Sequence, residues 1–97
     1  MKKLKLNQWY YKYTKNSKQI RKEFYKPIDF DEEFITMYKV AYVEYADNTS
    51  QVLIDDEYLV NTNEDIIGKE DIDSLIECNN FSEEFNNIFN IYNKKFN

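Results

Sequence analysis

Alternation dominates the first two thirds of the chain. From Ile35 to Ala46, one set of positions holds Ile35, Met37, Lys39, Ala41, Val43 and Tyr45, and the other holds Thr36, Tyr38, Val40, Tyr42 and Glu44. That period of two is the spacing of a strand. Asp47-Asn48-Thr49-Ser50 follows, with short polar side chains that bond back to a turning backbone. Gln51 to Val60 then resumes the strand pattern, so this pair is expected to close a hairpin.

A second hairpin is expected upstream. Lys3 to Tyr13 alternates loosely and carries Trp9, Tyr10, Tyr11 and Tyr13, residue types suited to a pleated surface. Thr14-Lys15-Asn16-Ser17 reads as its turn. Gln19 to Tyr25 fits two periods: Ile20 and Phe24 share a helical face behind Ser17 as N-cap, and they also fit a period of two. The strand is preferred, because it completes the hairpin. Pro27 is expected to end it, lacking a donor and holding Lys26 extended. Asp29 to Phe34 then forms an acidic connection.

The last third changes character. Asn61 to Asp65 is polar, and Gly68 is expected to break the chain. Asp71 to Asn79 suits a short helix with Ile72, Leu75 and Ile76 inward. A further helix is expected from Ser82 as N-cap, with Glu83 and Glu84 in its first turn. Phe85, Ile88, Phe89, Tyr92 and Phe96 recur along it at helical spacing, which reads as core packing, and Lys94-Lys95 suit its C-terminal end. The expected fold class is α+β: an antiparallel sheet of about four strands in two hairpins, with one or two C-terminal helices packed on one face. The 97 residues contain no repeat and no Gly/Ser linker, so residues 1–97 form one domain. A domain of this size buries about two thirds of its unfolded surface. Nine Tyr, seven Phe and one Trp supply much of that core.

Composition narrows the chemistry. With no histidine, His-based acid/base catalysis, Ser-His-Asp and Cys-His arrangements and most zinc or iron sites are excluded. The single glycine, Gly68, cannot build a phosphate-cradling loop. Cys78 has no second cysteine to pair with, and its setting of Ser74-Leu75-Ile76-Glu77 reads as that of a small buried hydrophobe. Asn61, Asn63 and Asp65 have the opening spacing of a calcium loop, but Ile66 and Ile72 stand where that loop needs Gly and Glu. Asp55-Asp56-Glu57 is denser, yet adjacent strand residues point to opposite faces. No metal, no cofactor and no enzymatic activity are therefore expected. Met1-Lys2-Lys3 runs into Leu4-Lys5-Leu6-Asn7-Gln8 rather than an apolar stretch, and no run approaches the roughly 20 apolar residues that span a bilayer. A cytoplasmic protein is expected. Asn48-Thr49-Ser50 and Asn80-Phe81-Ser82 fit the glycosylation sequon, as chance allows among twelve asparagines.

The net charge of −5 hides a division. Residues 1–26 carry nine Lys/Arg against Glu23 alone, for +8; residues 27–93 carry seventeen Asp/Glu against Lys39 and Lys69, for −15; Lys94 and Lys95 restore +2. Such a distribution keeps a small domain soluble, and the two segments can also neutralise each other. Seventeen carboxylates on two thirds of the chain also create a field that steers a basic partner, and large basic clefts in a cell are those that hold nucleic acid. The N-terminal segment offers a rival, since Lys2, Lys3, Lys5, Lys12, Lys15, Lys18, Arg21, Lys22 and Lys26 alternate with Trp9, Tyr10, Tyr11 and Tyr13. Cations along a backbone with aromatics for stacking are what single-stranded nucleic acid requires. The acidic bulk opposes it over a Debye length of about 8 Å.

In size, in richness in Tyr and Asn, and in stretches such as Asp29-Phe30-Asp31-Glu32-Glu33 and Asn63-Glu64-Asp65, the chain resembles small phage- or mobile-element-encoded inhibitors, of which anti-CRISPR proteins are one group. The resemblance implies a non-catalytic protein that binds a CRISPR effector nuclease at its nucleic-acid channel. The basic N-terminus departs from a wholly acidic mimic and leaves room for contact with guide RNA or an acidic protein surface. The candidate partner-binding residues are Asp29, Asp31, Glu32 and Glu33 after Pro27; Asp47, Asp55, Asp56 and Glu57 around the second hairpin; and Glu64, Asp65, Glu70, Asp71 and Asp73 before the helices. Two alternatives use the same composition: an immunity protein or antitoxin that neutralises one toxin, and a nucleic-acid-binding accessory protein working through the basic N-terminus.

Overall fold

The computed structural model describes residues 3–81, together with Glu83 and Asn86. Its chain order is β1 (Tyr10–Lys15), β2 (Gln19–Phe30), β3 (Phe34–Tyr45), β4 (Ser50–Asn61), the helix α1 (Ile66–Asp73) and the short β5 (Ile76–Glu77). The strands form one antiparallel sheet in the order β4-β3-β2-β1-β5. Among the described residues the fold is mostly β, with five strands where about four were expected and a single short helix.

Residues 19–25 are strand, pairing with β1 through Tyr10↔Tyr25 to Lys15↔Ile20 and with β3 through Gln19↔Tyr45 onward. The β3–β4 hairpin runs from Glu44↔Ser50 to Phe34↔Asn61. Its turn holds Asn48 at φ 67, with Tyr45 N–H donating to the Thr49 carbonyl at 2.8 Å and Asn48 N–H donating back to the Tyr45 carbonyl at 3.1 Å. That left-handed residue after a tight turn is the three-residue hairpin geometry, and Asn accepts it more readily than most side chains. The two faces read from the alternation of β3 are the faces that the register produces.

Several boundaries differ from expectation, each for a physical reason. β1 begins at Tyr10 rather than near Lys3 and extends through Thr14 and Lys15, because the chain turns at Leu6-Asn7, with Asn7 at φ 62. β2 continues past Pro27 to Phe30, with a register shift between Pro27 and Asp29. The Pro27 carbonyl accepts from Asn7 N–H at 2.9 Å, so that residue's backbone faces away from β3 and towards a place where β1 has not begun. The donor that Pro27 lacks is not one β3 requires. The acidic connection therefore shrinks to Asp31-Glu32-Glu33.

The helix is also displaced. It spans Ile66–Asp73, not Asp71–Asn79, and Gly68 lies inside it. Asp65 caps it, its side chain accepting from Gly68 N–H at 2.7 Å. A Cβ on Gly68 would stand 2.5 Å from Asp65 Oδ2 and 2.9 Å from Val60 Cγ1, so the glycine permits close approach of helix to sheet rather than a break. Ile72 and Leu75 are buried as expected, but Ile76 belongs to β5 and is exposed. Apart from Glu83 and Asn86, the helix expected from Ser82 lies outside the described residues.

The core has two parts. On one face, Leu4, Tyr10, Tyr25, Ile35, Met37 and Val60 pack with Ile72 of α1 and with Leu75 just after it, and Tyr58 lies against them. On the other, Phe24, Tyr42 and Cys78 gather Trp9, Tyr11, Val52 and Phe81. Trp9 and Phe81 stack at 3.7 Å between centroids, tilted by 8°. The expectation of helices on one face thus covers only α1, since Phe81 packs on the opposite side. Each fully buried aromatic or aliphatic side chain contributes about 1.5–3 kcal/mol, and the sheet carries such residues on both faces.

Candidate functional site

The structure sorts the predicted acidic residues by position. Asp29 stands near the end of β2, and Asp31, Glu32 and Glu33 form the β2–β3 loop; all four are exposed. Thr62 donates its N–H and its hydroxyl to the Glu33 carbonyl at 2.7 and 3.1 Å, which holds the β4–α1 connection, with exposed Glu64, at the same end of the sheet. These five form one acidic end. Asp55, Asp56 and Glu57 lie in the middle of the outer strand β4, also exposed. Asp65, Glu70, Asp71 and Asp73 belong to the α1 layer. Asp47 is separated from the rest. It sits in the β3–β4 turn, a 12-residue strand away from the β2–β3 loop, or about 37 Å along β3, and Ala46 N–H bonds the Lys18 carbonyl there at 3.0 Å.

Some of these carboxylates do local work. Asp31 Oδ1 accepts from the Phe34 and Glu33 N–H groups, each at 2.7 Å, and those bonds hold its carboxyl below the usual range. Asp47 is lowered by the Thr49 hydroxyl and then the Thr49 N–H. Asp55 accepts from Glu57 N–H at 3.0 Å across the bulge of β4. Asp65 caps α1, and Asp71 is tied to Lys12 Nζ at 2.5 Å. The ion pairs among the described residues are Lys5–Glu77, Lys12–Asp71 and Arg21–Glu23, and none engages the acidic end. The field of the α1 and β4 acids is felt at Tyr58, whose hydroxyl is pushed up first by burial and then by the charges of Asp71, Asp65, Glu23 and Asp55.

The basic N-terminal segment is largely occupied in the fold. Tyr10 is buried, Trp9 stacks on Phe81 with Lys26 Nζ 5.3 Å from its ring, and Tyr11 packs on Phe24 at 5.2 Å. Of the four N-terminal aromatics, only Tyr13 is exposed. Cys78 is buried in the second core cluster, its N–H donating to the Trp9 carbonyl at 2.9 Å.

Sequence reasoning missed Glu23. It is 8% exposed, accepts from the Tyr25 hydroxyl at 2.5 Å and from Arg21 Nε at 2.7 Å, and shares a face with Lys39. Burial raises its pKa, but the bonds from Tyr25 and Arg21, with the charges of Lys39 and Arg21, outweigh burial and leave it lowered. Tyr25 moves upward, through burial and then its bond to that carboxylate. Lys39 Nζ lies over the Tyr25 and Tyr58 rings at 5.2 and 4.7 Å. The signal was its isolation as the one acid among nine bases, with the period of two placing Arg21, Glu23 and Tyr25 on one face.

Among the described residues no cluster of three or more His, Cys, Asp or Glu side chains is placed to hold a metal ion, and no helix is long and apolar enough to cross a membrane. Comparison with protein-family models, with curated proteins and with solved structures found no match to this chain.

Proposed function

We propose that this chain is a non-enzymatic, cytoplasmic inhibitor that binds a nucleic-acid-handling protein and occludes its basic nucleic-acid site. A CRISPR effector nuclease is the leading candidate for the partner. The observation that carries this reading is the acidic end of the sheet. Asp29 near the end of β2 and Asp31, Glu32, Glu33 and Glu64 on short, bonded turns are exposed there, with no ion pair among the described residues to neutralise them. Such a surface presents charge at little entropic cost, because the backbone is already ordered. The role of the N-terminal segment as a nucleic-acid surface draws less support, since its stacking aromatics are used in the core, with Tyr13 the exception.

The test is capture from a nuclease-treated lysate of the native host, followed by competition. The parent is compared with a variant carrying Asp29→Asn, Asp31→Asn, Glu32→Gln and Glu33→Gln. The Asp31→Asn change keeps the side-chain oxygen that the Glu33 and Phe34 N–H groups require. The expected result is a nuclease or other nucleic-acid-binding protein that the parent retains, the variant loses, and added cognate nucleic acid displaces. A partner held equally by both proteins would overturn the reading. A cognate toxin that nucleic acid does not displace would favour an immunity protein instead.

A further inference from the structure

β4 is an outer strand of the sheet and pairs with β3 alone among the described strands. The pairing also settles which backbone groups it presents. Tyr45 N–H bonds the Thr49 carbonyl, so Thr49 faces β3, and alternation turns the N–H and C=O of Val52 and Ile54 outward. From the other end, Thr62 N–H bonds the Glu33 carbonyl, which turns those of Leu59 outward as well. Apolar side chains are exposed along this edge of the described sheet: Leu53 is 40% exposed, Ile54 58% and Leu59 49%. Proteins generally shield an edge by shortness, charged side chains (lysine above all), proline, a bulge or a covering element. β4 has twelve residues, no lysine, arginine or proline, and a bulge near its middle flanked by Asp55, Asp56 and Glu57.

We propose that the β4 edge receives an extended segment of a partner protein as an added strand, and that the segment alternates basic with apolar side chains. Main-chain bonds from Val52 and Ile54 supply affinity, and side-chain contacts set specificity. The apolar side chains of the incoming strand lie on one face, against Ile54 and Leu59, and its cations lie on the other, the face of Asp55. Its cations meet Asp55, Asp56 and Glu57, which have no base within their own strand. A second copy of this chain is a poorer occupant. Pairing β4 with β4 would bring two such acidic triplets into one ribbon, and like charges across strands are destabilising. The opposite edge gives a copy little to pair with, since β5 covers β1 at Tyr10 and Tyr11 and only Tyr13 and Lys15 face outward beyond it. This surface lies along the side of the sheet, apart from the β2–β3 loop, so the proposal does not depend on the acidic end being the occluding surface.

The experiment is an NMR titration of the full-length ¹⁵N-labelled chain with a capped peptide of four Lys-Val repeats, beside a Glu-Val control. The Lys-Val peptide is expected to slow amide exchange at Val52 and Ile54, and binding should weaken about tenfold or more in Ile54→Pro, which removes an outward donor and leaves the β3 ladder intact. Should that variant fold poorly, Asp55→Asn/Asp56→Asn/Glu57→Gln provides the second arm, with weaker Lys-Val binding and a smaller dependence on salt. Equal binding of the Glu-Val peptide, or Lys-Val binding without protection at Val52 and Ile54, would overturn the proposal. So would sedimentation of the free chain as a dimer with those amides already protected, which would assign the edge to a second copy.

Discussion

Glu23 shows how much a single buried carboxylate can hold together. Its oxygens bring the Tyr25 hydroxyl and Arg21 to one point on the central strand, beside Lys39. Its folded pKa is depressed, so the stability it contributes is present above the ordinary glutamate range near 4.5 and is lost as pH falls through the lower folded value. Glu23→Gln keeps one acceptor but turns an amide towards a donor. The expected cost at pH 7 is about 1–3 kcal/mol, and the gap between parent and variant should narrow as pH falls below about 4. Urea unfolding at pH 7 and at pH 3 measures both. A gap that stays constant with pH would mean that the carboxylate charge is not what stabilises the cluster. Glu23 was only half legible in the sequence. Its place in an Arg-x-Glu-x-Tyr alternation could be read, but burial could not, because that depends on what β1 and β3 lay beside it.

Strands were the most legible elements, and the helix the least. Period two over residues 35–46 and 51–60 fixes faces and hairpin together, since a slip of one residue would exchange every side chain between faces. For α1 the local signals misled, because a lone glycine ordinarily interrupts a helix. Here the sheet decided the matter. Val60 approaches so closely that only glycine fits beneath Asp65. Gly68→Ala is therefore expected to destabilise the protein by about 1–3 kcal/mol, despite alanine's higher helix propensity. Asp65→Ala, which removes the cap, should cost about 0.5–2 kcal/mol. Thermal unfolding of the two variants checks this, and a stabilised Gly68→Ala would show that the helix stands further from β4. Pro27 makes the same point for a strand: its effect depended on which side its missing donor faced.

At the scale of the whole molecule, the charge division acquires a geometry. Lys12, Lys15, Arg21, Lys22 and Lys26 lie on β1 and β2, and Lys5, Lys12 and Arg21 are paired with Glu77, Asp71 and Glu23, whereas most of the candidate acids gather at one end, along one edge and over α1. Since the carboxylates of the acidic end are exposed, the four-residue variant used above should change stability by less than about 1 kcal/mol. Association with a captured basic partner should behave differently. Raising salt from about 50 to 500 mM is expected to slow association of the parent by tenfold or more and to affect the variant much less. Stopped-flow mixing and thermal unfolding together separate a lost interaction from a lost fold. Equal salt dependence would place the steering charges elsewhere.

The amino-acid sequence by itself determined the strand faces, the two hairpins, the lack of histidine chemistry and the sign of the charge in each segment. These follow from local period and from counting, which need no knowledge of distant neighbours. Only the tertiary structure decided that Asp47 lies apart from the other acids, that Glu23 is buried, that Gly68 belongs to a helix, and that β4 is an outer strand among the described ones. Each of those depends on which residues far apart in sequence come into contact, and contact is set by the pairing of whole strands rather than by any residue's own preference.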